Sequence, residues 1–226
     1  MKSKKLKKWT TLLTCATALT VMTACSQSSS QSTGTTSSTT SKTSAVTATT
    51  SKKTNKNNSN YFTSKDSDTS YNESSATKIK LSGSSADVSG DGAALSGSTV
   101  TISKAGTYVI SGKSDGVQIK VDAGDSDDVH IVLDGVTMTN TNAAINATKA
   151  GHVYLTLKDG TTNTLSDSSS NSDEDADAVI FSKGDLTING SGTLNIDAKK
   201  NNGIKANDSL HMTGGTYKIS SVGDAF

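Results

Sequence analysis

Proline and arginine are absent from the 226 residues, aromatic side chains make up 4%, and there are 2 cysteines. Each scarcity excludes something. From residue 77 onward the chain holds 12 Lys against 18 Asp and Glu, a net of −6 with no arginine, so it lacks the basic footprint that nucleic acid requires. The two cysteines are Cys15 and Cys25, so everything after them has no disulfide, no thiolate nucleophile and no cysteine-ligated metal. With few rings available, a core must be assembled from small aliphatic side chains. No segment carries the run of about 20 apolar residues that a membrane-spanning helix needs.

What is present begins with charge. Lys2, Lys4, Lys5, Lys7 and Lys8 precede a short apolar run from Trp9 to Val21, which closes at Val21-Met22-Thr23-Ala24-Cys25. A positive stretch, a short apolar stretch and small residues before a cut make a secretory signal. Cysteine at the cut looks like a bacterial lipobox, although Met22 stands where Leu is usual and Thr23 where Ala or Ser is usual. Residues 1–24 are therefore expected to be removed as a lipoprotein signal peptide, with lipid attached to Cys25. That anchors the chain to the outer face of the bacterial cell membrane. An ordinary secretory signal is the alternative, and it too exports the protein.

From Ser26 to Ala76, 28 of 51 residues are Ser or Thr. Such a segment has too little to bury to offset its conformational entropy, so 25–76 is expected to be a disordered tether. At Thr77 the pattern changes to short β-rich runs, among them Lys78–Leu81, Thr99–Ile102, Val117–Val121, Val129–Leu133, Val153–Leu157, Thr193–Ile196 and Thr216–Ile219. Most alternate apolar and polar residues, and Gly, Asn or Asp separate them. Self-similarity then chooses among all-β architectures. Asp185-Leu186-Thr187-Ile188-Asn189-Gly190 aligns with Ser209-Leu210-His211-Met212-Thr213-Gly214. Ahead of them, Asp177-Ala178-Val179-Ile180 matches Asn201-Asn202-Gly203-Ile204, and Asn142–Ile145 is an earlier copy. The period is 22–24 residues. Residues 77–226 are accordingly expected to form a right-handed parallel β-helix, a solenoid whose coils bury their apolar faces only against their neighbours. Ile145, Ile180, Ile204 and Phe226 would share one inward ladder. The chain stops at Phe226 as a further coil begins, so the solenoid is expected to be incomplete at its C-terminus.

The densest chemistry is Asp167–Asp177, with five carboxylates in eleven residues, inserted between two coils. Calcium takes six to eight oxygens, and Asp173, Asp175 and Asp177 alternate so as to present oxygens to one side of an extended loop. Asn201, Asn202 and Asp224 fall at corners of later coils that match Asp177, and stacked coils about 4.8 Å apart would let them share a cation. A solvated acidic loop and an Asn/Asp ladder that only satisfies turn backbone are the competing readings. His130, His152 and His211 are scattered over separate strands and make no zinc set. Lys183, Lys199, Lys200 and Lys205 would be the candidate bases of a lyase.

Asp177–Gly190, Asn202-Gly203-Ile204-Lys205, Gly214-Gly215-Thr216 and Gly223-Asp224-Ala225 resemble a family of bacterial surface carbohydrate-binding domains. The resemblance implies a β-helix similar to polysaccharide lyases with bound calcium. It further implies binding to cellulose-type glucans and acidic sugars such as polygalacturonate. The expectation is a monomeric, lipid-anchored, non-catalytic module for polysaccharide, with calcium at Asp173, Asp175, Asp177, Asn201, Asn202 and Asp224 and with the glycan-binding residues unassigned. A calcium-dependent polysaccharide lyase and a structural spacer or adhesin are the alternatives.

Overall fold

The alternating runs become β-strands wherever Gly, Asn and Asp let the chain turn between them. A computed structural model describes residues 61–226; the signal segment, Cys25 and the Ser/Thr-rich stretch to residue 60 lie outside the described residues. Sixteen strands follow a short 3-10 turn at Ser64–Ser67, and the domain is all-β. The first four strands are Thr77–Gly83 (β1), Ser85–Ser89 (β2), Ala93–Ser96 (β3) and Thr99–Ile102 (β4). Then come Gly106–Asp115 (β5), Gln118–Asp122 (β6), Asp128–Thr139 (β7), Ile145–Lys149 (β8), His152–Leu157 (β9) and Thr162–Ser166 (β10). The last six are Ala178–Ser182 (β11), Asp185–Gly190 (β12), Thr193–Ala198 (β13), Asn202–Ala206 (β14), Leu210–Met212 (β15) and Thr216–Ser221 (β16).

They form two sheets. One has ten strands along the path β15-β12-β9-β7-β10-β13-β16, with β5 on β7, β1 on β5 and β2 on β1; the other has six, in the order β14-β11-β8-β6-β4-β3. Only β1–β2 and β3–β4 pair antiparallel, and the other pairs are parallel. Register places like residues side by side. Val100, Ile119, Ile145, Ile180 and Ile204 form one row, and Ile131, Leu155, Ile188 and Met212 another. These rows face a single core filled by Ile, Val and Leu, with Tyr108 and Tyr217 as its buried rings. That is how a chain with few aromatics buries enough apolar surface, at about 25 cal/mol per Å².

The repeat survives an insertion. Ile180 and Ile204 are partners 24 residues apart, whereas Ile145 and Ile180 are partners 35 apart. The eleven additional residues are the acidic stretch 167–177, which leaves the sheet between β10 and β11 without disturbing the register. Phe226 departs from its expected place: it is 55% exposed and sits outside the isoleucine row, where Ala225 packs against the core and accepts the Ile204 N–H.

Glycine permits the bend that follows β12. Gly190 has φ +96°, and a Cβ there would stand 2.2 Å from the Leu157 carbonyl oxygen. Neither the angle nor the contact tolerates a side chain.

Residues 61–76, assigned from composition to the tether, lie against the outer face of the ten-stranded sheet. Asp66 is only 2% exposed. Thr187 donates to its carboxylate at 2.6 Å, and Thr63 donates through both N and Oγ1 at 2.7 and 2.9 Å. The Asp66 carbonyl accepts from Thr213 and Asn189 at 2.6 and 3.2 Å. Composition failed here because the Ser/Thr-rich stretch ends in a few residues whose polar groups match a polar sheet face.

Candidate functional site

Two outer faces carry side chains able to bind or react. On the ten-stranded sheet, register aligns Thr107, His130, Tyr154, Thr187 and His211 in one row. All three histidines of the chain belong to this face, as expected of sheet-face histidines, and the 61–76 segment covers it. Thr187 gives its proton to Asp66, so His152 Nε2 donates to Thr187 Oγ1 at 2.8 Å. Thr156 gives its proton to Asn189 at 2.6 Å, so His130 Nε2 donates to Thr156 at 2.7 Å. Burial would by itself raise the pKa of Asp66, but the hydrogen bonds from Thr187, Thr63 and His211 hold its carboxyl well below the usual carboxylate range. Burial pushes His130 and His152 below the ordinary histidine value. Hydrogen bonding to Asp128 raises Lys65, whose ammonium also sits 4.9 Å from the centre of the Tyr154 ring. This face is a satisfied packing surface.

The second face is the outside of the six-stranded sheet next to the acidic insert. Asp167 anchors the insert: fully buried, it accepts the Lys199 N–H at 2.6 Å and Asn171 Nδ2 at 3.2 Å. Asn171 Oδ1 accepts the Asp173 N–H, and Asp173 Oδ1 accepts the N–H groups of Asp175 and Ala176. Ala176 then packs with Ala143, Ala178 and Phe181 in a small apolar cluster outside the main core. This self-capped loop walls a cleft of about 350 Å³ against the sheet. Asp173 and Asp175 form one side; Asn146 and Phe181, paired across β8 and β11, lie on the sheet side; Thr148, Lys183 and Asn207 complete the lining.

The six residues expected to hold calcium do not gather into one cage. Asp173 and Asp175 face this cleft. Asp177, Asn202 and Asp224 meet at the corner: Asn202 Nδ2 donates to Asp177 at 3.4 Å and Asn202 Oδ1 accepts the Asp224 N–H at 2.9 Å. Asn201 contributes its carbonyl, which accepts the Gly223 N–H. Lys205 Nζ stands 2.7 Å from Asp177 Oδ1 and pairs its charge. Among the described residues no group of three His, Asp or Glu side chains is arranged to hold a metal ion. The corner oxygens serve turn backbone and Lys205, whereas the side chains of Asp173 and Asp175 border the cleft.

Sequence reasoning missed Asn146, Thr148, Phe181 and Asn207. The signal lay in the repeat: once Ile145 is set beside Ile180 and Ile180 beside Ile204, Asn146 falls beside Phe181 and Phe181 beside Lys205.

Comparison with known proteins supplies the last observation. A family model described as carbohydrate-binding domain-containing protein matches residues 96–226. A carbohydrate-binding domain-containing protein of Acetivibrio thermocellus is 39% identical over 137 residues, which is 58% of this chain and 48% of the relative. The chain therefore spans about half the length of that curated relative. The solved structure of a polysaccharide lyase-like protein from C. thermocellum, a gadolinium derivative, superposes with a TM-score of 0.61 at 36% identity, covering 64% of this chain and 61% of that one.

Proposed function

The chain belongs to the carbohydrate-binding domain-containing protein family, and from that premise we propose that it is a lipid-anchored, non-catalytic polysaccharide-binding module of the bacterial cell surface. The observation that carries the reading is coincidence of place: the cleft lined by amide, hydroxyl, carboxylate and ammonium groups lies wholly within the residues that match the family. Sugar hydroxyls both donate and accept, and such a mixed lining answers both roles.

The finer parts of the reading have their own supports. Two sheets of mostly parallel strands visited in a repeated order, with 24 residues between Ile180 and its partner Ile204, suit a right-handed parallel β-helix of stacked coils. Cellulose-type glucans and polygalacturonate are the expected polymers. The Lys-rich start and Cys25 support export and anchoring at the outer face of the cell membrane. Calcium belongs to the reading at Asp173 and Asp175, where carboxylates border the cleft; it would neutralise them and bridge to acidic sugars. That a similar protein was solved with gadolinium supports this, since both cations seek hard oxygen donors.

Retention of the full chain by insoluble cellulose and by a polygalacturonate gel, with and without a chelator, tests the proposal. Retention on either polymer is expected, and retention on neither overturns it. The polysaccharide lyase-like neighbour favours a second reading, a calcium-dependent lyase. Absorbance near 235 nm from unsaturated uronides would reveal it, and none is expected.

A further inference from the structure

Asn146 is 7% exposed and lines the cleft beside the acidic insert, yet its Oδ1 has no hydrogen-bond partner. A buried acceptor without a donor is costly, and nearly all such groups in folded proteins are satisfied. Ser114 Oγ and Asn195 Oδ1 are also buried without a partner, but of the three only Asn146 lines this cleft, where a ligand hydroxyl would supply the donor it lacks. Around it stand groups of both polarities. Thr148 spends its hydroxyl proton on the Val121 carbonyl at 3.0 Å, which leaves its oxygen as an acceptor. Lys183 is exposed at the rim and donates only. Asp173 and Asp175 accept on the opposite side. Phe181 and Ala176 supply apolar surface between them.

The larger groove near the first strands, about 480 Å³, has no such feature. Its buried hydroxyls are paired already: Thr77 donates to the Asp91 carbonyl at 2.6 Å and Tyr108 to the Lys104 carbonyl at 2.7 Å.

We infer that the cleft between the acidic insert and the β8–β11 face is a subsite for a single uncharged sugar unit of a polysaccharide, with Asn146 Oδ1 accepting from a sugar hydroxyl. The inference rests on the carbohydrate-binding reading and adds the place and the class of sugar. Size agrees, since about 350 Å³ lies at the small end of ligand clefts, roughly 300–1,000 Å³. Charge decides between neutral and acidic sugars. Without calcium, two carboxylates face one ammonium across the cleft and a uronate carboxylate entering it would meet like charge, so the uncharged unit is assigned to the calcium-free cleft. A neutral pyranose offers hydroxyls to Asn146, Thr148 and the carboxylates, and takes a hydrogen bond from Lys183.

The test is affinity electrophoresis of the full chain through gels containing a soluble neutral glucan or polygalacturonate, in calcium and in chelator. Three variants accompany it: Asn146→Leu, Lys183→Ala and, on the other sheet, Lys78→Ala. Melting curves report folding. Lys183 is exposed, so its removal leaves the fold intact even if Asn146→Leu does not. The expected result is retardation of the wild type by the neutral glucan, weakened about tenfold by each cleft variant and unchanged by Lys78→Ala. Wild-type binding that Lys183→Ala and a folded Asn146→Leu leave unchanged overturns the subsite but spares the carbohydrate-binding reading. Retardation in chelator by polygalacturonate alone overturns the assignment of a neutral sugar. No retardation by any polysaccharide overturns both.

Discussion

The Asp66 carboxylate gathers four donors from three parts of the chain: Thr63 N and Oγ1, Thr187 Oγ1, and His211 Nδ1 at 3.1 Å. Asp66→Ala strands those donors and is expected to cost about 2–3 kcal/mol, lowering the melting midpoint by roughly 4–12 °C. The same region sets the acid side of stability. A histidine whose folded pKa is depressed binds fewer protons folded than unfolded, so stability falls as pH drops below about 6.5, the unfolded value. His130 faces Asp68 and Lys65, and His152 faces Asp185, Asp66, Asp128 and His211, but burial dominates in both. Asp66, held low, adds stability above the unfolded carboxylate pKa of about 3.9 and loses it at still lower pH. Melting curves from pH 8 to 4 should therefore decline from about pH 6.5, and His130→Gln should flatten the decline. A midpoint insensitive to pH across that window would contradict the burial of these rings. At Gly190, substitution by Ala should cost at least about 2 kcal/mol, read from urea unfolding, because the positive φ and the Leu157 carbonyl both oppose a Cβ.

Among the elements, the acidic insert was legible as an insertion but not as a built loop. Its five carboxylates suggested repulsion relieved by a cation; the structure gives Asp167 to the Lys199 amide and Asp173 to its own turn. Removing Asp167 should detach the insert while leaving the sheets paired. Asp167→Ala is expected to raise amide exchange across residues 168–177 and to leave β11 and β14 protected; loss of protection throughout would make the insert part of the core instead. The hairpins β1–β2 and β3–β4 were not read from the sequence, because β2 and β3 are short and much of each is exposed. β10 was missed for a different reason. Its Asn163 breaks the apolar pattern, yet its side chain is fully buried, accepting the Val136 N–H at 2.9 Å and donating to the Thr193 carbonyl at 3.3 Å.

At the scale of the whole molecule, calcium should act as a ligand of the folded state. If Asp173 and Asp175 take it up, a hundredfold excess over Kd adds about 2.7 kcal/mol and raises the midpoint by roughly 5–10 °C. Calorimetry of the wild type and of Asp173→Asn/Asp175→Asn, with and without millimolar calcium, checks this. A rise shared equally by both proteins would move the ion elsewhere, and no rise in the wild type would make these carboxylates solvated.

The sequence by itself determined the all-β class, the period near 24, the aliphatic rows at Ile145, Ile180 and Ile204 and the site of the insertion. These follow from composition and from alternation, which states which side chains point inward at each strand. Tertiary structure alone decided what stands beside what. Asn146, Lys183 and Asn207 become neighbours only when three strands align, and Asp66 meets His211 across 145 residues. Alternation carries no information about a polar group's partner. A hydrogen bond holds over about 3 Å, so only the final register of strands about 4.8 Å apart fixes which donor meets which acceptor, and which acceptor is left for a ligand.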